Sequence, residues 1–176
     1  MKTSIALIGF MGTGKTAVGK ALAKKLDGEF IETDALIERK AGKTIPDIFR
    51  QDGEIRFREL EIEVTRDIGG REKAVIACGG GLVLNKINVD RLRDECLMVY
   101  LTASTAVILK RTSRDENERP LLSSPDRVLR IRELLRFRKP FYQRAADITI
   151  NTSKLSIDSV AEQIIARVKA DESINR

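Results

Sequence analysis

Gly9-Phe10-Met11-Gly12-Thr13-Gly14-Lys15-Thr16 is a complete G-x-x-x-x-G-K-S/T phosphate-binding loop. The apolar run Ser4-Ile5-Ala6-Leu7-Ile8 precedes it, and Ala17, Val18, Ala21, Leu22 and Leu26 follow at helical spacing. A strand feeding a sharp glycine turn, with a helix leaving it, makes successive backbone N–H groups converge on a polyphosphate. In such a loop the lysine reaches the β- and γ-phosphates and the Ser/Thr hydroxyl ligates Mg²⁺. Gly12, Thr13, Gly14, Lys15, Thr16 and Ala17 are the expected contacts to a nucleoside triphosphate, with Thr16 on the metal.

Outside the loop, strand-like and helix-like runs alternate, the pattern of an α/β chain with a mainly parallel sheet. Strands are predicted at Ser4–Gly9, Glu29–Glu32, Ala74–Ala77, Leu97–Leu101 and Ile148–Asn151. A helix is predicted from near Asp34, and another from Thr44 as N-cap with Pro46 in its first turn. A longer helix spans Glu54–Ile68 and is stopped by Gly69-Gly70. Helical patterns also cover Thr105–Arg111 and Asp126–Arg136, and Arg138-Lys139-Pro140-Phe141-Tyr142 closes the second, arginine-rich helix. Between them Thr112–Pro120 is polar and aperiodic. It reads either as a solvated loop or as a lid that brings arginine onto the phosphates and excludes water.

Composition narrows the class. A chain of 176 residues suits one domain with a single sizeable core. Two cysteines, Cys78 and Cys96, lie in apolar surroundings and read as reduced thiols of a cytoplasmic protein. The absence of histidine removes the commonest general base and every Ser-His or Cys-His nucleophile system. No apolar stretch is long enough to span a membrane, and a cleaved leader would remove the loop, so no targeting segment is expected. The net charge of +6 comes without a basic stripe interleaved with aromatics, so anionic small ligands explain it more economically than nucleic acid. A monomer is expected.

Motor and signalling NTPases carry an apolar strand ending in Asp that helps hold Mg²⁺. Here the third strand runs into Val75-Ile76-Ala77-Cys78-Gly79, and Asn85-Lys86-Ile87-Asn88 is no guanine-reading N-K-x-D. The strand-end carboxylates are instead Glu32 and Asp34, in Phe30-Ile31-Glu32-Thr33-Asp34. Carboxyl ends of parallel strands face the ligand crevice, so one acid can hold a metal-bound water and the other can accept a hydroxyl proton. Asp34 could equally cap the next helix. Glu54, Arg58 and Glu61 share a helix face, which on spacing alone reads best as a surface ion-pair ladder. Gly79-Gly80-Gly81 permits close approach of a ligand to backbone amides. Arg138 offers a planar fork for a carboxylate.

These segments together resemble the shikimate kinases, within the nucleoside-monophosphate-kinase-like group. The resemblance covers nearly the whole chain and rests on Gly9–Thr16, Phe57-Arg58-Glu59-x-Glu61, Gly79-Gly80-Gly81, Arg119-Pro120-Leu121-Leu122 and Arg138-x-Pro140-x-Tyr142, in order. It implies a three-layer, doubly wound P-loop fold with a five-stranded, mainly parallel sheet. A lid at about 112–124 and a small helical substrate-binding region at about 33–61 would complete one kinase domain. It also implies transfer of the γ-phosphoryl of ATP, with Mg²⁺, to the 3-hydroxyl of shikimate in chorismate and aromatic amino-acid biosynthesis. Asp34, Lys15 and Arg119 become the expected catalytic residues, and Asp34, Arg58, Gly80, Gly81 and Arg138 the expected substrate contacts. Lys110 or Arg111 would flank adenine together with the loop after Asn151-Thr152-Ser153; Arg111 and Arg119 join the expected ATP contacts. The family carries Asp-x-Asp after its second strand. Glu32 at the first position keeps the charge and lengthens the reach to a metal-bound water.

Two rivals remain at this level. A gluconate-type kinase would share the architecture, but Arg58, the three glycines and Arg138 argue for an acceptor bearing a carboxylate. A non-catalytic nucleotide-binding module could dispense with Asp34 and Arg119, and both are present.

Overall fold

The computed structural model describes residues 4–113 and 126–174. Five parallel strands form one sheet in the order β2-β3-β1-β4-β5. They are β1 (Ser4–Ile8), β2 (Glu29–Glu32), β3 (Ala74–Ala77), β4 (Cys96–Thr102) and β5 (Ile148–Asn151). Register pairs Ile5 with Val75 and Leu97, placing β1 at the centre, and Glu32 with Ala77 at the β2 edge. The glycine loop and Gly79 follow β1 and β3, and Glu32 ends β2, all at the carboxyl end of the parallel sheet.

Alternation along the inner strands fills both faces, as a sheet covered on two sides requires. Ala6, Ile8, Ile76, Met98 and Tyr100 pack on one face against helices α5 (Lys86–Glu95), α6 (Thr105–Thr112) and α7 (Arg127–Ala145), through Leu92, Ile108, Ile131 and Tyr142. Ile5, Leu7, Val75, Val99 and Leu101 pack on the other against α1 (Lys15–Leu26) and α8 (Ile157–Ile174), through Val18, Leu22, Val160 and Ile164. A third cluster lies apart. Ile37 of α2 (Thr33–Ala41), Ile48 of α3 (Ile45–Gln51) and Phe57, Leu60 and Val64 of α4 (Gly53–Asp67) form a small helical layer continuing from β2. Among the described residues no helix is long and apolar enough to cross a membrane.

The predicted strands are present, three with the expected bounds. β1 stops at Ile8 because Gly9 takes φ +145°, and a Cβ there would strike the Leu101 carbonyl. Thr44 caps α3, its hydroxyl accepting the Asp47 N–H at 3.3 Å, with Pro46 in the first turn. The periodic patterns do not mark α5 or α8. The largest difference concerns α7, which does not close at Arg138–Tyr142 but continues through Pro140 to Ala145. An interior proline removes one helical hydrogen bond, at a cost of about 3 kcal/mol. Tyr142 and Ala145 beyond it are buried against the sheet, and that burial carries the helix through the break.

Candidate active site

The phosphate loop is largely self-supporting. Thr13, 1% exposed, donates its hydroxyl to the Phe10 carbonyl at 2.7 Å, so its side chain holds the loop from beneath. Lys15 Nζ reaches back to the Gly9 and Phe10 carbonyls at 2.8 and 2.9 Å, where it spans the loop mouth. Gly12, Gly14, Lys15, Thr16 and Ala17 line one cavity of about 920 Å³. Arg111 lines it too, donating to the Gly12 carbonyl and to the Thr152 hydroxyl and carbonyl at 3.0–3.1 Å. Lys110, the alternative to Arg111, is exposed and off the cavity wall. Arg119 lies outside the described residues, as does most of the expected lid. Its flanks are joined by Arg127, which donates to the Thr112 carbonyl at 2.8 Å.

β2 runs directly into α2. Glu32 is the N-cap residue but makes no side-chain cap bond, and Asp34 sits inside the first turn, so Asp34 is not the cap. Glu32 Oε1 instead accepts the Thr16 hydroxyl at 2.5 Å. These two hard oxygen donors suit Mg²⁺, which takes one or two protein ligands beside phosphate and water. Among the described residues no cluster of three or more His, Cys, Asp or Glu could hold a metal ion.

The opposite wall brings four segments together, and the three glycines explain how. A Cβ on Gly79 would lie 2.6 Å from Asp34 Oδ1. One on Gly80 would lie 3.5 Å from Arg138 Nη1, and one on Gly81 would collide with the Arg58 guanidinium. Each glycine makes room for a different charged side chain. Gly79 also donates its N–H to the Thr33 hydroxyl at 2.8 Å, tying the end of β3 to the residue beside Asp34.

The Glu54-Arg58-Glu61 ladder is present, but only its Glu54 end is a surface feature. Arg58 donates to Glu54 at 2.9 Å and to Glu61 at 2.7 Å, and Glu61 is 1% exposed. Burial pushes the Glu61 carboxyl up to about 7, against the pull of Arg58 and with added repulsion from Asp34. Burial acts to lower the Arg58 pKa, but Glu61 and Glu54 raise it overall. Arg138 is 2% exposed and stands 5.8 Å from the Phe10 ring centroid, next to the phosphate loop. Its Nε meets no protein acceptor among the described residues, a donor whose burial is costly unless an anion or water satisfies it. Cys78 lines the same cavity, and burial pushes its thiol up, which disfavours the thiolate.

Sequence reasoning reached Lys15, Thr16, Asp34, Arg58, Gly80, Gly81, Arg111 and Arg138, and the fold gathers all of them around one cavity. It missed the separate part played by Gly79 and the burial of Glu61. The i, i+3 spacing of Arg58 and Glu61 was the available signal for the pair; nothing local marks that the acid faces inward.

A sequence profile described as shikimate kinase matches residues 11–169. A shikimate kinase from Pelotomaculum thermopropionicum is 46% identical over 166 residues, covering 94% of this chain and 95% of its own. The shikimate kinase of Acinetobacter baumannii, solved in complex with shikimate, superposes with TM-score 0.92 at 38% identity, over 97% of this chain and 95% of that one. A gluconokinase from Sinorhizobium meliloti is similar at TM-score 0.57 and 18% identity over 99% of both chains, a likeness of fold alone. With a profile match over most of its length and end-to-end relatives at this identity, the chain belongs to the shikimate kinase family.

Proposed function

We propose that this ATP-dependent kinase transfers the γ-phosphoryl group of ATP to the 3-hydroxyl of shikimate, giving shikimate 3-phosphate and ADP. The observation that carries the reading is the glycine-lined wall. Asp34, Arg138 and Arg58 close over Gly79, Gly80 and Gly81 respectively, across one cavity from Lys15. Two arginines in one cavity suit a carboxylate, which takes guanidinium forks in paired hydrogen bonds. An aspartate beside them suits a hydroxyl that must lose a proton.

Phosphoryl transfer asks for positioning and charge stabilisation rather than a protein nucleophile. The Gly12–Ala17 amides cradle the triphosphate, and Lys15 leaves its loop carbonyls to meet the β- and γ-oxygens. Arg111 borders the nucleotide on the adenine side. Arg58 and Arg138 fix the acceptor carboxylate, with Gly80 and Gly81 at its edge, and so aim the ring hydroxyl at the γ-phosphorus. Asp34 binds the acceptor hydroxyls and takes the proton as the new P–O bond forms. Arg119 is assigned from motif position only, as a further charge on the transferring group from a lid at about 112–124. Thr16, with Glu32 acting through water, would hold Mg²⁺. When bound, that ion draws charge from the phosphate oxygens. One chain supplies every group in this account, so a monomer suffices.

A coupled ADP-release assay with ATP and Mg²⁺ tests the reading, run in parallel with shikimate and gluconate. Turnover dependent on shikimate is expected. Turnover with gluconate alone would overturn the acceptor assignment, and ATP binding without turnover on either would favour a non-catalytic module.

A further inference from the structure

The acceptor wall holds a buried polar group to which the proposed reaction gives no part, the Tyr142 hydroxyl. Tyr142 is 0% exposed, and its hydroxyl donates to the Gly80 carbonyl at 2.5 Å. Its ring stacks on Tyr100 with centroids 5.0 Å apart. It lies four residues after Arg138 on α7, hence on the same helix face. Arg138 reaches over the Cα of Gly80 while Tyr142 grips its carbonyl, so one helix face holds this residue at two points. Gly80 itself sits against the phosphate loop, where a Cβ would come 3.6 Å from the Gly9 carbonyl oxygen.

The reason to anchor a carbonyl here is the chain on either side. Three consecutive glycines leave the backbone free to adopt many conformations, so the Gly80–Gly81 peptide plane has no local preference to keep it in one orientation. Across a trans peptide, the Gly80 C=O and the Gly81 N–H point in opposite directions. Fixing one fixes the other. Among the described residues the Gly81 N–H has no protein acceptor, and the Arg58 guanidinium lies against Gly81. A flipped plane would present a carbonyl oxygen to an incoming carboxylate, which is repulsive.

We propose that Tyr142 is a positioning residue: its hydroxyl holds the Gly80 carbonyl towards α7, and thereby turns the Gly81 N–H into the acceptor cavity beside Arg58 and Arg138. The inference rests on the acceptor reading above. Burial raises the Tyr142 pKa, while the Arg138 guanidinium hydrogen-bonded to the phenol pulls it down, so the hydroxyl stands between Arg138 and the Gly80 carbonyl. A phenylalanine would fill the same space without choosing the peptide orientation, which separates this role from packing.

Wild-type shikimate-dependent ADP release is established first, so failure of the acceptor reading shows there and not in the variants. Tyr142→Phe should then raise KM for shikimate roughly tenfold, the scale of one lost buried hydrogen bond. KM for ATP should hold and kcat should fall less than the KM rises. Tyr100→Phe, which trims the stacked partner without touching Gly80, should leave KM for shikimate unchanged. Equal effects of the two variants, or unchanged kinetics in Tyr142→Phe, would overturn the proposal. A readout that does not need Tyr142→Phe to fold comes from the chain having only two tyrosines. Tyr100→Phe labelled with 3-fluorotyrosine carries one ¹⁹F reporter, at Tyr142. Its resonance should move on adding shikimate and stay in place with ADP; no response to shikimate would equally sink the idea.

Discussion

The phosphate loop is continuous in sequence and bonded mostly to itself, whereas the facing wall draws Asp34, Arg58, Gly79–Gly81 and Arg138 from four separate segments. In the loop, Lys15 and Thr13 both donate to loop carbonyls, and Arg111 and Thr152 hold neutral carbonyls, those of Gly12 and Thr13, from distant segments. The wall instead buries charge. Glu61 and Arg138 are each 2% exposed or less, and Arg58 spans the gap between a buried and an exposed carboxylate. A buried ion must be paired or it destabilises the fold, so if the wall binds the acceptor as proposed, it couples stability to that binding in a way the loop does not.

The sharpest way to break that contrast is to remove a charge from each side. Lys15→Ala should cut kcat by about 10³-fold, the cost of losing a principal transition-state donor, while the melting temperature barely moves. Thermal melts beside the ADP-release assay check both halves; a large loss of stability would contradict the contrast with the wall. Arg58→Ala should weaken acceptor binding by about 2–5 kcal/mol and also destabilise the protein, because Glu61 is left buried without its partner. Adding Glu61→Gln should restore stability in urea denaturation but not acceptor affinity. Recovery of both would mean that Arg58 serves only Glu61.

A smaller change tests the glycine that sequence reasoning did not single out. Gly79→Ala places a methyl 2.6 Å from Asp34 Oδ1 and must displace the carboxylate. A misplacement of that size should lower kcat by about 10- to 100-fold with KM for ATP unchanged. Wild-type kcat in this variant would detach Asp34 from the chemistry.

Protonation of Glu61 sharpens the comparison further. Its pKa is about 7 in the fold against an ordinary value of 4.5, so the folded state binds the proton more tightly than the unfolded chain. The resulting stabilisation is complete below pH 4.5 and is lost as pH rises through about 7. Relative to Glu61→Gln, the wild type should lose stability over that window in urea titrations; parallel curves would show that the carboxyl is not perturbed. The smallest effect is expected at the edge of the loop. Glu32→Asp shortens the reach from β2 to Thr16, and should shift the Mg²⁺ dependence of turnover while leaving kcat within severalfold. An identical Mg²⁺ titration would leave Glu32 without a role at the metal.

The loop was legible because glycine spacing, lysine and threonine are adjacent in the chain and their chemistry follows from that adjacency. Arg58 and Arg138 were legible through motif register, and Arg58's partners Glu54 and Glu61 through helical spacing, although the burial of Glu61 was not. Glu61 read as one rung of a solvated ladder, since a charged residue at i, i+3 from an arginine is usually exposed. Arg138–Tyr142, with Pro140 inside it, read as the close of α7, and local stereochemistry supports that reading until Tyr142 is seen buried against Tyr100 of β4. The choice between Lys110 and Arg111 lay open because neighbouring helix positions differ by only a rotation about the axis, and the sheet decides which faces Gly12.

Sequence alone was enough for the phosphate loop, the five strands and the family resemblance, because these depend on residues close in the chain and on short periodicities. Three-dimensional packing settled which acid is buried, which side chain each of Gly79, Gly80 and Gly81 accommodates, and how α7 crosses its proline. Those outcomes turn on burial and charge pairing between segments as far apart as Asp34 and Arg138, and no local window contains both partners.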